Sequence, residues 1–400
     1  MNQHLSNRDI SIPEEWDRRG LPGWTYHSPA LLELEKEHLF RRTWQIVCHV
    51  SDVPEPGSYL GFDLFGERAL IVRGDDGEVR AFHNMCRHRG SRVVTDDKGK
   101  CRNALVCPFH GWVFNLDGTL RGAARPETFD DMDRSKLGLI TIEMEIWNGL
   151  VFIRFAPGHQ PSVAEIMQPF EREIAHYRLD EMVPSDRVWN QTSQVNWKSV
   201  RDVDNEGYHV AMAHPALQDL YGATYYDEPF VDGVCRSYAD CYDRGGRLWS
   251  VRHYIKTLEP RDHIPEELQR AWIYYGLFPN SVVAVTPESM QFYQEFPVSV
   301  NETILRGATY RYRDETRRQR AARYLATRID RDTIEEDVQL TIWSNESMAS
   351  EAFQGFYLSD LEYGVRTHHD HIRAVLPVTT LEEAPGEAEI ARINEEMSAR

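Results

Sequence analysis

Cys86-Arg87-His88 and, eighteen residues further on, Cys107-Pro108-Phe109-His110 decide how this 400-residue chain is read. Each half couples one thiol with one imidazole. Two thiolates can hold one iron while two imidazoles hold another, which is the ligand set of a mixed-ligand [2Fe–2S] cluster. Exchanging two anionic sulfurs for neutral nitrogens raises its potential above that of an all-cysteine cluster. The expected ligands are therefore Cys86, His88, Cys107 and His110, and the expected job is one-electron relay. Tetrahedral zinc accepts the same residue types, but zinc fingers pair Cys with Cys and His with His, whereas here each pair is mixed. Gly90, Pro108 and Gly111 sit where two loops must wrap a cluster. Cys101, in the spacer, reads as a loop thiol.

The rest of the composition sets bounds. Four hundred residues are more than one small core needs, so two domains are expected. No apolar run approaches the length of a membrane span, and Met1–Arg8 lacks a charged-then-apolar leader pattern. A soluble, cytoplasmic protein is the expectation. Cys48, Cys101, Cys235 and Cys241 suggest no disulfide framework. A net charge of −18 argues against nucleic acid as a partner, since phosphate binding needs clustered Lys and Arg.

Residues 29–42 carry apolar positions at helical spacing. From Trp44 to Phe155 the texture changes to short β-type runs (45–50, 58–64, 69–73, 78–83, 148–155), separated by turns such as Asp75-Asp76-Gly77 and Asp117-Gly118. Beyond residue 156, helical patterns (163–178, 197–220, 314–347, 359–373) alternate with strand-like ones (281–286, 290–297, 302–312). The expected fold is α+β. A helical segment 1–43 packs on the catalytic domain. A small antiparallel β domain, 44–155, carries the cluster, and a larger domain, 156–400, sets an antiparallel sheet against helices on one face in a helix-grip arrangement.

A second metal site is suggested in the larger domain. His209 and His214 lie five apart, about 140° around a regular helix, so both can face one ion only where the helix is broken; Pro215 suits such a break. Two imidazoles and one carboxylate on one face of Fe(II) leave positions open for O₂. Read alone, the pair fits two ordinary histidines, one in the core and one at a helix end, better than it fits a metal site.

They do not stand alone. Together with the cluster motif, Asn196-Trp197-Lys198, Glu206-x-Tyr208-His209-x₄-His214-Pro215, Arg323-Tyr324-Leu325 with Arg328-Ile329-Asp330-Arg331 and Glu336-Asp337, and Leu358…Glu362-x-x-Val365-x₃-His369 resemble the catalytic α subunit of Rieske non-haem iron oxygenases, over nearly the whole length. The resemblance implies that Asp337 is the carboxylate ligand of the mononuclear iron, with Glu336 as the rival one position away. It implies that Glu206 bridges an iron-ligating histidine to a cluster histidine of a neighbouring subunit; the plainer reading is a surface Glu. It also implies a homotrimer, with β subunits left open. Electrons would come from NAD(P)H through a separate reductase, with or without a ferredoxin, since the chain has no Gly-rich dinucleotide fingerprint. Asp202-Val203 departs from a Glu-Asn pair common in the family, so a supporting amide is either missing or supplied by Asn205. His368, His369 and His371 read as helix-end residues rather than a third metal site.

The substrate is the least defined element. Tyr221, Tyr225, Tyr226, Phe230, Trp249, Tyr254, Trp272, Tyr274, Tyr275 and Phe278 follow the histidine pair. They suit an apolar pocket for an aromatic compound, a carboxylated one included, or a cage for a quaternary ammonium group; ordinary core packing accounts for many of them. The leading expectation is hydroxylation of an aromatic compound by a mono- or dioxygenase. Oxidative N-demethylation or hydroxylation of a quaternary ammonium compound is the alternative, and a Rieske electron carrier without catalysis is the alternative of another class.

Overall fold

The computed structural model of the chain describes residues 12–399, so the first eleven residues of the expected N-terminal segment, and with them the leader reading, lie outside the described residues. Two compact units emerge: Trp44–His159, and a second that joins the residues up to Thr43 with those from Gln160 onward. The division thus falls after His159 rather than after Phe155.

The first unit holds ten short strands in three antiparallel sheets. One contains β1 (Gln45–His49), β10 (Leu150–Arg154) and β9 (Glu143–Trp147). The next runs β4 (Val79–His83), β3 (Glu67–Arg73), β2 (Ser58–Leu64) and β5 (Lys98–Lys100). The last is β6 (Leu105–Val106), β7 (Val113–Phe114) and β8 (Leu120–Gly122). The sequence reading placed Asn148-Gly149 inside a strand. Both residues instead have positive φ, 47° and 81°, and form the hairpin turn between β9 and β10, for which Asn-Gly is the preferred pair.

The second unit is built on one antiparallel sheet ordered β11 (Val183–Pro184), β18 (Glu302–Arg311), β17 (Ser289–Ser299), β16 (Ser281–Thr286), β15 (Ala271–Leu277), β14 (Val234–Asp240) and β13 (Tyr226–Val231), with β12 (Trp189–Ser193) also on β18. The strands β13 to β15 escaped the sequence reading because β14 and β15 are buried on both faces and show little alternation. The helix Arg317–Met348 begins at a Thr316/Gln319 capping box and packs Ala322, Leu325, Ala326 and Ile329 into the cluster that holds Ala239, Cys241 and Trp272 of the sheet. On the reverse face the segment Val163–Ala175 meets Tyr275, with Phe170 at 5.2 Å between ring centroids and Glu173 accepting its hydroxyl at 2.5 Å. Among the described residues no helix is long and apolar enough to cross a membrane.

Residues before Thr43 dock on this unit through a buried charge. Glu35 accepts from Trp197 Nε1 at 2.8 Å and from Lys198 Nζ at 2.5 Å, with both members of the ion pair about 1 % exposed. Asn196 caps the helix Trp197–Asp204 through its side chain and donates to the Tyr26 carbonyl. The Asn196-Trp197-Lys198 signature is therefore the socket for the N-terminal segment.

Candidate metal centres and substrate cavity

The two cluster loops are built alike. In each, the cysteine N–H donates to the residue five positions on (Ser91 or Trp112), and a glycine four positions on donates back to the cysteine carbonyl. Gly90 and Gly111 take φ of +74° and +69°, the left-handed region that favours glycine. Both thiols are buried in the core of the unit. Burial pushes Cys86 up to about 11 against the pull of the His88 and Arg89 amides, so an electropositive partner is needed to hold a thiolate there. His88 and His110 face each other with Nδ1 atoms 3.2 Å apart, and His88 stacks on Trp112. The two thiols interact with each other and the two imidazoles face each other, a sulfur pair and a nitrogen pair that suit two irons. Cys101 stands apart, its thiol donating to the Gly57 carbonyl at 3.3 Å.

In the second unit the break that the histidine spacing requires is present. Val210–Ala213 is a single helical turn, His214 ends it with φ −118° and ψ 82°, and Pro215 opens the next helix. His209 Nε2 and His214 Nε2 come within 3.0 Å, and Asp337 Oδ1 lies 3.0 Å from His214 Nε2 and 3.7 Å from His209 Nε2. Glu206 Oε1 is 2.5 Å from His209 Nδ1, and Glu336 Oε2 is 2.9 Å from His214 Nδ1. A carboxylate only accepts, so each imidazole carries its proton on Nδ1 and turns its Nε2 lone pair inward. Two lone pairs and a buried Asp337 oxygen without a hydrogen bond thus converge. That arrangement repels itself without a cation, and it fits a metal ion held by two imidazoles and a carboxylate.

Glu336, the rival ligand, faces the opposite nitrogen of His214, an orienting position that the sequence reading did not assign. Glu336→Gln is expected to cut metal affinity and turnover about 10- to 100-fold, read by iron content and oxygen uptake; an unchanged enzyme would remove this role.

Two further residues hold the loop. Gly207 N donates to Asp227 Oδ2 at 2.8 Å, and a Cβ at Gly207 would lie 1.9 Å from the Tyr225 ring. Asp227 also accepts from Tyr225 and Ser237, and its burial pushes it up to about 6. Gly207→Ala should therefore cost about 1–3 kcal/mol by overpacking and displace Glu206 and His209, seen as a lowered Tm together with lowered iron content. Asp227 comes from β13, and nothing local in the sequence marks it.

Asp202 turns away from this site, to Tyr26 (2.6 Å) and His369 (2.8 Å). The buried Asn205 amide finds no hydrogen-bond partner among the described residues, so it does not supply the supporting contact. His368, His369 and His371 are not at a helix end: they lie within the helix Tyr363–Val375. His368 bonds to Pro279 O; His369 accepts from Leu21 N and pairs with Asp202; His371 meets Thr367 O.

A cavity of about 190 Å³ opens beside His209, His214 and Asp337. Of the aromatics expected there, Tyr221, Tyr225 and Tyr274 line it, joined by Trp189 and Tyr293 from β12 and β17. The others do not: Trp249 is half exposed, Tyr254 and Trp272 are core, Tyr275 is buried against Glu173, Tyr226 meets Arg236, and Phe230 and Phe278 pack on His368.

Residues 172–377 match the family described as "Ring hydroxylating alpha subunit (catalytic domain)" and residues 43–133 match the "Rieske [2Fe-2S] domain". The first match spans just over half of the chain, which belongs to this family of Rieske-type mono- and dioxygenases, with a [2Fe–2S] domain and a catalytic mononuclear-iron domain. The chain is 28% identical to a carnitine monooxygenase oxygenase subunit of Escherichia coli (strain K12) over 306 residues, 74% of this chain and 77% of that one. It is 33% identical to a glycine betaine monooxygenase oxygenase subunit of Chromohalobacter salexigens over 245 residues, 60% of this chain and 54% of that one. A solved quaternary ammonium Rieske monooxygenase shares the fold with a TM-score of 0.75 at 22% identity, covering 92% of this chain and 99% of that one.

Proposed function

We propose that this chain is the terminal oxygenase of a multicomponent system and oxidises an organic cation of the quaternary ammonium type. The observation that carries the reading is the cavity of about 190 Å³ beside the His209–His214–Asp337 group, where tyrosine and tryptophan side chains offer ring faces to a cation. The carnitine and glycine betaine enzymes among the relatives point the same way. This reverses the order drawn from the sequence, which put an aromatic substrate first.

Cys86, Cys107, His88 and His110 would hold the cluster, and His209, His214 and Asp337 the iron. When bound, these groups supply stepwise electron delivery and activation of O₂. The chain's own side chains do the rest. Glu206 and Glu336 fix the Nδ1 protons of the two histidines. Asp227 anchors the loop between them and β13. The ring-lined walls hold the substrate against the iron side and keep water out. The family resemblance further implies that Glu206 bridges to a cluster histidine of a neighbouring subunit in a homotrimer, which light scattering should detect as a trimer mass.

Oxygen uptake with the purified oxygenase, NAD(P)H and a reductase of this class, across ammonium compounds and aromatic acids, tests the reading. Uptake coupled to ammonium compounds is expected; uptake with aromatic acids alone would overturn it.

A further inference from the structure

The reading above leaves open which organic cation is taken, and the charges around the cavity narrow it. Five carboxylates line it (Asp204, Glu206, Glu295, Asp330 and Asp337) and, among the described residues, no Lys or Arg does. Four of the five are already engaged. Asp204 and Glu295 share the buried Arg201, Glu206 holds His209, and Asp337 belongs to the metal group. Asp330 differs: its recorded partner is the neutral Gln291 amide, Nε2 to Oδ2 at 3.1 Å. It sits on the helix Arg317–Met348, seven residues before Asp337 and so on the same face, about 10 Å nearer the helix N-terminus.

We propose that Asp330 is the cation-binding residue of the substrate cavity, and that the preferred substrate is a compact ammonium ion carrying no carboxylate. The proposal rests on the organic-cation reading and specifies it. Tyr221, Tyr274 and Tyr293 stand close enough to feel the Asp330 charge, and together with it they form an anionic, ring-lined end to the cavity. A cation placed there meets a half-buried carboxylate and aromatic rings at once. A zwitterion brings a carboxylate of its own into a cavity that offers it no cationic side chain and several like charges, which costs affinity.

Burial pushes Asp330 up to about 7, and among the described residues only the neutral Gln291 amide pulls it back. The titratable groups that face it, Tyr221, Tyr274 and Tyr293, are all pushed upward and stay neutral. Affinity for a cation should therefore rise with pH through the neutral range, as Asp330 ionises.

The test uses the iron-replete holoenzyme and three probes: choline, its uncharged isostere 3,3-dimethyl-1-butanol, and the zwitterion glycine betaine. In the wild type the KM for choline is expected to lie at least about tenfold below those of the other two. Asp330→Asn should raise the choline KM at least about tenfold, flatten its pH dependence and leave the KM of the isostere unchanged. Iron content and cluster spectrum should be retained. A choline KM within twofold of wild type in Asp330→Asn, or glycine betaine taken as well as choline, would overturn this proposal while leaving the organic-cation reading in place. No turnover with any ammonium compound would remove both.

Discussion

Asp337→Ala is expected to reduce substrate-coupled oxygen uptake to background while the visible spectrum of the [2Fe–2S] cluster stays unchanged. The separation follows from the architecture. Asp337 lies on the helix Arg317–Met348 of the catalytic unit, whereas all four cluster-ligand positions lie in Trp44–His159. Alanine would remove the one anionic member of a three-ligand group and leave two neutral imidazoles, too weak a set to retain a hard divalent ion at low micromolar iron. Iron analysis should therefore fall from three per chain to two. Fold loss is not expected, since Asp337 Oδ1 makes no hydrogen bond that the packing depends on. If turnover and the third iron both survive, Asp337 is not the carboxylate ligand. The milder effect expected of Glu336→Gln separates a ligand from a residue that orients one.

The second large effect is on stability. Glu35→Ala should destabilise the catalytic unit by about 3–5 kcal/mol, because it strands a buried ammonium as well as an indole N–H. Lys198 is about 1 % exposed and its charge is met by Glu35 at 2.5 Å. For a unit of this size the Tm should fall by on the order of 10 °C. The double variant Glu35→Ala/Lys198→Met, which removes both charges, should recover much of the loss, since a buried ion pair exchanged for apolar groups is close to neutral. A drop in Tm for the single variant no larger than for a surface Glu→Ala would show that the pair does not hold the N-terminal segment.

The cluster motif was legible because its expected ligands are local: four residues within two short loops, each marked by Gly at the position that needs positive φ. The histidine pair was legible for the same reason, helped by Pro215. The carboxylate was not. Asp337 sits more than 120 residues beyond His214 among several acids, and only the family resemblance singled it out. Glu336 and Asp337, about 100° apart on the helix, both reach His214, one at each ring nitrogen, so adjacency hid two distinct roles. Asp227 meets Gly207 only when β13 reaches the histidine loop, and Asp330 meets Gln291 only when the helix closes on the sheet; no periodicity records either contact. Strands buried on both faces, β14 and β15, likewise lacked the alternation that revealed their neighbours.

The electron-relay unit is one uninterrupted run of chain, whereas the catalytic unit joins residues that lie on either side of it in the sequence. The relay behaves as a cassette spliced into a host. A nascent chain can finish the cassette as soon as His159 has emerged, but Glu35 must wait for Lys198. Excising Trp44–His159 should yield an autonomous redox protein, whereas trimming the leader half would orphan the enzyme that hosts it.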